Sequence, residues 1–218
     1  MSDAIAAQNL HELMKSWSGA SPYAWKVAIN GERGQRRLGL THFVIAPLRE
    51  RIHLTSGIDV EFAPAQKICV EAEVLVRIAR DDGETGESLI EAVAPCLEIV
   101  DYALGGTSLR ELLAHSFFHA GIVPGKFIPA AEWRTLRAPY PRAQDDQGNT
   151  HARESADDDL TELIGEVAAL ARAAGAPLRR GQLVLSGSYI EPLPLRLGTT
   201  VEVDYGPELP KLSVGRTS

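Results

Sequence analysis

Ile68-Cys69-Val70-Glu71-Ala72-Glu73-Val74-Leu75-Val76-Arg77-Ile78-Ala79 is the stretch whose reading decides the fold class. Val70, Ala72, Val74, Val76 and Ile78 alternate with Cys69, Glu71, Glu73, Leu75 and Arg77, and a period of two places one set on each face of a pleated strand. Glu71 and Glu73 therefore point the same way. Asp81-Asp82-Gly83 closes the strand as a turn, and residues 87–92 are expected to make a helical turn or two. Pro95 then opens a second apolar stretch, 96–103, which carries Glu98 and Asp101 on a candidate neighbouring strand. Glu71, Glu73 and Glu98 together offer three hard oxygen donors of the kind magnesium and manganese take. From the pattern alone, two carboxylates lining the solvent face of an amphipathic strand is the reading to prefer.

Working outward, Ile5, Leu10, Leu13, Met14 and Trp17 recur at helical spacing, and Ser18-Gly19 would end that helix. Residues 25–29 and 38–44 read as short strands among the turn-forming Gly31, Gly34 and Gly39. A short helix is expected over 109–119 and a strand over 121–128, interrupted by Pro124 and Gly125. The polar segment 137–159 reads as a hairpin or surface loop away from the chemistry. Leu160, Leu163, Ile164, Val167, Leu170, Ala171 and Ala174 trace one helical face, with Asp157, Asp158 and Asp159 as cap candidates and Gly175 at the end. Residues 182–186 and 199–205 run as strands. Many short strands, few helices and long connections predict an α+β fold with a curled, mixed, mostly antiparallel sheet rather than βαβ units.

A chain of 218 residues is about one domain, and 44% apolar with 23% charged residues can bury a core. The net charge of −7 and the lack of any Lys/Arg block longer than a pair argue against nucleic-acid binding. No window approaches the roughly 18 apolar residues a membrane span needs, and no basic-then-apolar leader is seen, so a cytoplasmic protein with a small-molecule partner is expected. Cys69 and Cys96 lie in apolar strand-like segments and are expected as reduced, packed thiols. The glycine patterns of nucleotide-binding loops do not occur.

Gly39-Leu40-Thr41, Val70-Glu71-Ala72-Glu73-Val74, Ala94-Pro95-Cys96-Leu97-Glu98-Ile99-Val100-Asp101 and Leu178-Arg179-Arg180-Gly181-Gln182-Leu183-Val184-Leu185-Ser186-Gly187-Ser188 follow in this order. Together they resemble the 2-keto-4-pentenoate hydratase and 4-oxalocrotonate decarboxylase branch of the fumarylacetoacetate hydrolase superfamily. The resemblance implies a β-sheet roll like the C-terminal domain of fumarylacetoacetate hydrolase, with residues 1–35 as N-terminal helix and lead-in and 36–218 as catalytic domain. It implies Mg2+ or Mn2+ held by Glu71, Glu73 and Glu98, and a 2-keto acid chelating the ion. Leu40, Thr41, Ser186 and Ser188 would bind substrate, and Asp101 would support the metal.

The activity so implied is that of a metal-dependent lyase, hydratase or decarboxylase, acting on unsaturated 2-keto acids such as 2-hydroxypenta-2,4-dienoate or 4-oxalocrotonate. Acylpyruvate-type C–C hydrolysis is an alternative. A homo-oligomer is expected, with a partner pathway enzyme as a further option. Arg37 stands where the branch carries a lysine, and Val44 where it carries an acid. Arg37 remains cationic but is a poor proton donor, so an altered or inactive relative serving as a ligand-binding or assembly subunit is the second reading. His119 falls among the expected active-site residues and joins Arg37 as a catalytic candidate. His115 and His119 would suit zinc only on a helix, and the glutamate of a metalloprotease motif is absent.

Overall fold

The computed structural model describes residues 2–17, 20–63, 65–82, 88–136, 141–144, 148–152 and 159–217. The first half contains α1 (Ser2–Ser16), β1 (Ala24–Ala28), α2 (Glu32–Leu38), β2 (Val44–Leu48), β3 (Ile58–Glu61), β4 (Ile68–Ile78), β5 (Ile90–Asp101) and α3 (Leu109–Ala114). The second half contains β6 (His119–Pro124), β7 (Ile128–Pro129), α4 (Ala130–Trp133), β8 (Arg142–Gln144), β9 (Thr150–Ala152), α5 (Leu160–Ala173), β10 (Leu183–Leu185), β11 (Leu193–Pro194), β12 (Thr200–Asp204) and β13 (Leu212–Thr217). One sheet runs β2-β1-β10-β4-β5-β6, with β11 on β4 and β7 on β5; the other runs β3-β13-β12-β8-β9. Among the named strands only β1–β10 and β3–β13 pair in parallel. The fold is the expected α+β class with a curled, mostly antiparallel sheet.

The alternating stretch forms β4, and its antiparallel register with β5 sets Glu71 opposite Glu98 and Glu73 opposite Cys96. The even-numbered face of β4 is covered along its whole length. Val70 and Ala72 pack in a core shared with Val203 and Val214 of the second sheet, whereas Val74 and Val76 pack in a core shared with Leu10 of α1 and Val167 of α5. Each buried valine or leucine among them contributes about 1.5–3 kcal/mol. The odd-numbered face carries Glu71, Glu73 and then Leu75, which joins Ala24, Ala94, Cys96, Ile122 and Leu185 in a third, smaller cluster. A strand buried on both faces is where a carboxylate must find partners.

Several expected elements move. Leu38 ends a helix instead of starting a strand, because Gly39 takes a left-handed φ of 65° and caps α2. Ile90 already lies in β5, so the helical turn expected over 87–92 is overturned in its described part, and Pro95 sits inside the strand. α3 opens on a Ser108–Glu111 capping box and stops at Ala114. A 3-10 turn, Ser116–Phe118, and β6 follow, so His115 and His119 do not share a helix and the zinc-compatible spacing is void. Residues 142–144 and 150–152 form the hairpin expected within 137–159; positions 137–140, 145–147 and 153–158 lie outside the described residues, as do Ser18, Gly19 and Gly83. Asp159 caps α5 by accepting from the Thr161 N–H, while Asp157 and Asp158 are outside the described residues.

β1 belongs to the lead-in 1–35, yet it lies between β2 and β10, so residues on either side of position 35 share one sheet. Among the described residues, no helix is long and apolar enough to cross a membrane.

Candidate active site

β4 and β5 bring Glu71, Glu73 and Glu98 together, with one carboxylate oxygen of each within 4.8 Å of the others. Glu73 and Glu98 are 0% exposed, and Glu71 faces a cleft. Glu98 Oε1 accepts from Lys26 Nζ at 2.6 Å and lies 2.7 Å from His119 Nδ1. Glu73 Oε2 accepts from the Gly187 N–H at 3.0 Å, and Glu71 Oε1 accepts from the Tyr102 hydroxyl at 3.0 Å. Glu73 Oε1 and Glu98 Oε2 are buried and have no hydrogen-bond partner. Each of those two side chains is thus clamped through one oxygen and presents the other. The frame behind them is tied by Tyr205, whose hydroxyl accepts from the Glu73 N–H at 3.1 Å and donates to the Cys96 carbonyl.

Lys26 comes from β1 and is 2% exposed, and its ammonium also donates to the Phe117 carbonyl at 3.3 Å. That carbonyl is delivered by an unusual turn: Ser116, Phe117 and Phe118 have φ values of 45°, 50° and 71°. The left-handed region costs an L-residue about 1–2 kcal/mol, so three in succession persist only where the surroundings impose them. Here the Ser116 hydroxyl donates to the Pro47 carbonyl at 3.0 Å, and the Phe117 ring is 4% exposed in the main core. The Phe118 ring meets Tyr102 edge-on, with centroids 5.1 Å apart.

Electrostatics separate the three acids. Burial opposes ionisation of Glu98, but the Lys26 charge and the His119 hydrogen bond outweigh it and hold its pKa down at about 2. Burial, reinforced by the Glu98 charge and only partly offset by Lys26, pushes Glu71 up to about 7. Burial and the charges of Glu98 and Glu71 push Glu73 well above the usual carboxylate range. Burial would discharge Lys26, yet Glu98, Glu71 and Glu73 together raise its pKa. One buried ammonium therefore stands against three carboxylates.

A cleft of about 970 Å³ opens above this cluster, with Lys26, Glu71 and Tyr102 reaching into it and Phe117 and Phe118 on its wall. Other expected residues fall elsewhere. Arg37 is an exposed residue of α2 that lines the cleft, but the cation among the carboxylates is Lys26. Leu40 is buried in the main core and Thr41 is tied to Asp3 of α1 by both its N–H and its hydroxyl; neither lines the cleft. Ser186 spends its hydroxyl on the Val74 N–H and the Gly187 carbonyl, so the neighbouring Gly187 N–H, and not that hydroxyl, serves the site. Ser188 lines the cleft while donating to the Ile190 carbonyl.

His119 does meet the carboxylates. Asp101 accepts from the Lys67 and Ala103 N–H groups and so holds the end of β5. Val44 is buried in β2. The hairpin expected to stand apart from the chemistry contributes Thr150, His151 and Ala152 to the cleft wall. Lys26, Tyr102, Tyr205 and Gly187 were not singled out from the sequence. The visible signal for Lys26 is one lysine inside the otherwise apolar Ala24-Trp25-Lys26-Val27-Ala28, a sequence that on a fully buried strand forces an internal acid as partner.

The first sheet, which carries the carboxylate cluster, and the second sheet packed on its other face form a fumarylacetoacetate hydrolase-like fold. No family model matches the chain, and no curated protein matches it. Solved structures do. A 4-oxalocrotonate decarboxylase from Pseudomonas putida G7, complexed with magnesium and adipate, matches with a TM-score of 0.74 at 15% identity over 94% of this chain and 81% of that one. A fumarylpyruvate hydrolase from Pseudomonas aeruginosa, in complex with Mn2+ and pyruvate, matches with a TM-score of 0.60 at 16% identity, covering 89% and 88%. A maleylpyruvate hydrolase from Sphingobium sp. SYK-6, in complex with manganese and pyruvate, matches with a TM-score of 0.53 at 16% identity, covering 89% and 70%. At these identities the likeness concerns the fold.

Proposed function

We propose that this chain is a divalent-metal-dependent enzyme that acts on 2-keto acids by stabilising an enolate, with decarboxylation or tautomerisation ahead of hydration. The observation that carries this reading is the pair of buried, partnerless oxygens, Glu73 Oε1 and Glu98 Oε2, converging with Glu71 within 4.8 Å. Three hard donors against one ammonium leave a charge deficit that one Mg2+ or Mn2+ ion would fill, so the donor set fits such an ion. When bound, that ion supplies a Lewis acid for the keto oxygen.

The protein's own groups do the rest. Lys26 stays charged and faces the cleft, so its ammonium meets negative charge that develops on the substrate. Glu98 fixes Lys26 and orients the His119 ring through the same oxygen. Phe117, Phe118 and Tyr102 line one side with carbon and keep water from it. Addition of water needs a base for the attacking molecule. Val44 is apolar and buried, which supports placing hydration behind the other two reactions.

Likeness in fold to a 4-oxalocrotonate decarboxylase supports the lyase reading, and likeness in fold to a fumarylpyruvate hydrolase and a maleylpyruvate hydrolase keeps C–C hydrolysis as the second reading. The case for a non-catalytic subunit loses its motive at position 37, because Lys26 supplies the buried cation. The test is calorimetric titration of MgCl2 and MnCl2 into wild type and a Glu73→Gln, Glu98→Gln double variant, followed by parallel measurement of dienol absorbance and carbon dioxide release. Metal binding lost in the variant, with metal-dependent carbon dioxide release in wild type, is expected. Equal metal binding by both proteins would remove the proposal.

A further inference from the structure

A second cavity opens at the edge of the main core, between α1, α3, α5 and β2, and among the described residues it shares no lining residue with the cleft. Its volume is about 250 Å³, and its walls are carbon: Ala6 and Leu10 of α1, Val44 and Ile45 of β2, Leu113 of α3 and Leu170 of α5. The first five are buried members of the main core, and Leu170 packs against it. Room is left because α1 and α5 present only alanines, Ala7 and Ala169, at the exposed part of the lining. Packed cores hold few voids larger than a water molecule, so an apolar recess of this size stands out. A dry cavity of about 150 Å³ accepts benzene, and this one has space for a ring with a short substituent.

Polar groups are confined to its rim. Asp3, His42 and Glu166 are the polar residues among the described lining residues, and no lysine or arginine joins them. Asp3 is fixed in place, accepting from the Thr41 N–H at 3.0 Å and the Thr41 hydroxyl at 2.7 Å. His42 Nδ1 accepts from the Phe43 N–H at 3.0 Å, which makes Nε2 the protonated nitrogen of a neutral ring. That Nε2 lies 3.6 Å from Glu166 Oε2, too far for a hydrogen bond. Two carboxylates thus edge an apolar hole with no cation beside them.

We propose that this cavity is a binding site for a small monoamine, one apolar ring or short chain that carries a single ammonium. The apolar body fills the carbon-walled space and supplies the affinity. The ammonium stays at the rim, where Asp3 and Glu166 accept its protons and water still reaches it. An anionic ligand meets two like charges there, so the site turns away the 2-keto acids assigned above to the cleft.

Three ligands that share a ring and differ in the head test this by calorimetric titration: 2-phenylethylamine, 2-phenylethanol and phenylacetate. Wild type is expected to bind the amine about tenfold more tightly than the alcohol, as two partly exposed charge pairs of middling strength allow, and phenylacetate more weakly than either. An Asp3→Asn, Glu166→Gln double variant should bring the amine and the alcohol together. Glu166→Gln alone, which leaves the Asp3–Thr41 bonds intact, should cut the preference to about threefold. Ala169→Leu, which puts a larger side chain at the opening, should weaken both ligands. Glu12→Gln removes a charge from α1 outside the cavity and should keep the preference. Equal binding of amine and alcohol by wild type, no binding of either, a preference that survives the double variant, or binding undiminished in Ala169→Leu would each overturn the assignment.

Discussion

Lys26 decides the residue scale. Among the described residues it is the only ammonium inside the cluster of three carboxylates, and removing it leaves Glu98 charged and buried without its cation. Lys26→Met is therefore expected to destabilise the metal-free protein by about 3–5 kcal/mol, read from the denaturant midpoint, and to abolish activity. Stability unchanged by the substitution would show that Glu98 takes a proton at little cost. The acids themselves make a second expectation. Glu71 is held up at about 7 and Glu73 higher, against an unfolded carboxyl near 4.3, so between roughly pH 4.5 and 7 the unfolded chain releases protons that the folded one keeps. Ionisation across that window costs the fold, and metal-free stability should rise as the pH is lowered from 7 toward 4.5. Glu98, held at about 2, works in the opposite sense, its contribution being lost only as the pH falls from about 4.3 toward 2. Scanning calorimetry at pH 5 and pH 7.5 tests this: the metal-free melting temperature should be higher at pH 5, with a smaller difference in Glu71→Gln.

At the scale of elements, the turn between β10 and β11 is as much part of the site as the strands. Gly187 has a φ of 82° and sends its N–H to Glu73, and a Cβ there would come within 2.8 Å of Asn30 Nδ2. Gly187→Ala should cost about 1–3 kcal/mol in stability and weaken Mn2+ binding measurably in the same titration, whereas Gly181→Ala, also left-handed but with open space around it, should cost only the backbone term. β4 was legible because its alternation runs over eleven residues, long enough to separate two faces. The parity that put Glu71 and Glu73 together was legible for the same reason. What alternation could not show was that both faces of β4 are covered, which is the difference between two solvated acids and a charged core. Lys26 stayed hidden because a single lysine in a five-residue strand reads locally as a solvent-facing residue; its partner lies 72 positions away. Arg37 drew attention through its spacing to Gly39-Leu40-Thr41, but Gly39 caps a helix, Leu40 packs into the main core and Thr41 bonds Asp3, so that run serves packing and not the cleft.

For the molecule as a whole, the metal is expected to tighten a fold that stands without it. The three apolar clusters bury far more than a zinc-finger-sized domain, so chelation should lower the melting temperature and leave one cooperative transition. At a hundredfold excess over Kd, the metal adds about 2.7 kcal/mol by mass action. Loss of the transition on adding chelator would contradict this. The parallel pairing of β1 with β10 has a different bearing, on timing. Ala24 finds Leu183 roughly 160 residues later, and non-local pairings of that span are the slow step of folding. A ribosome releases the chain from its N-terminus, so Lys26 and all three acids emerge well before β10 and Gly187 exist to close round them. The site therefore closes only once β10 and the turn that carries Gly187 have been made, late in the chain relative to every acid they enclose.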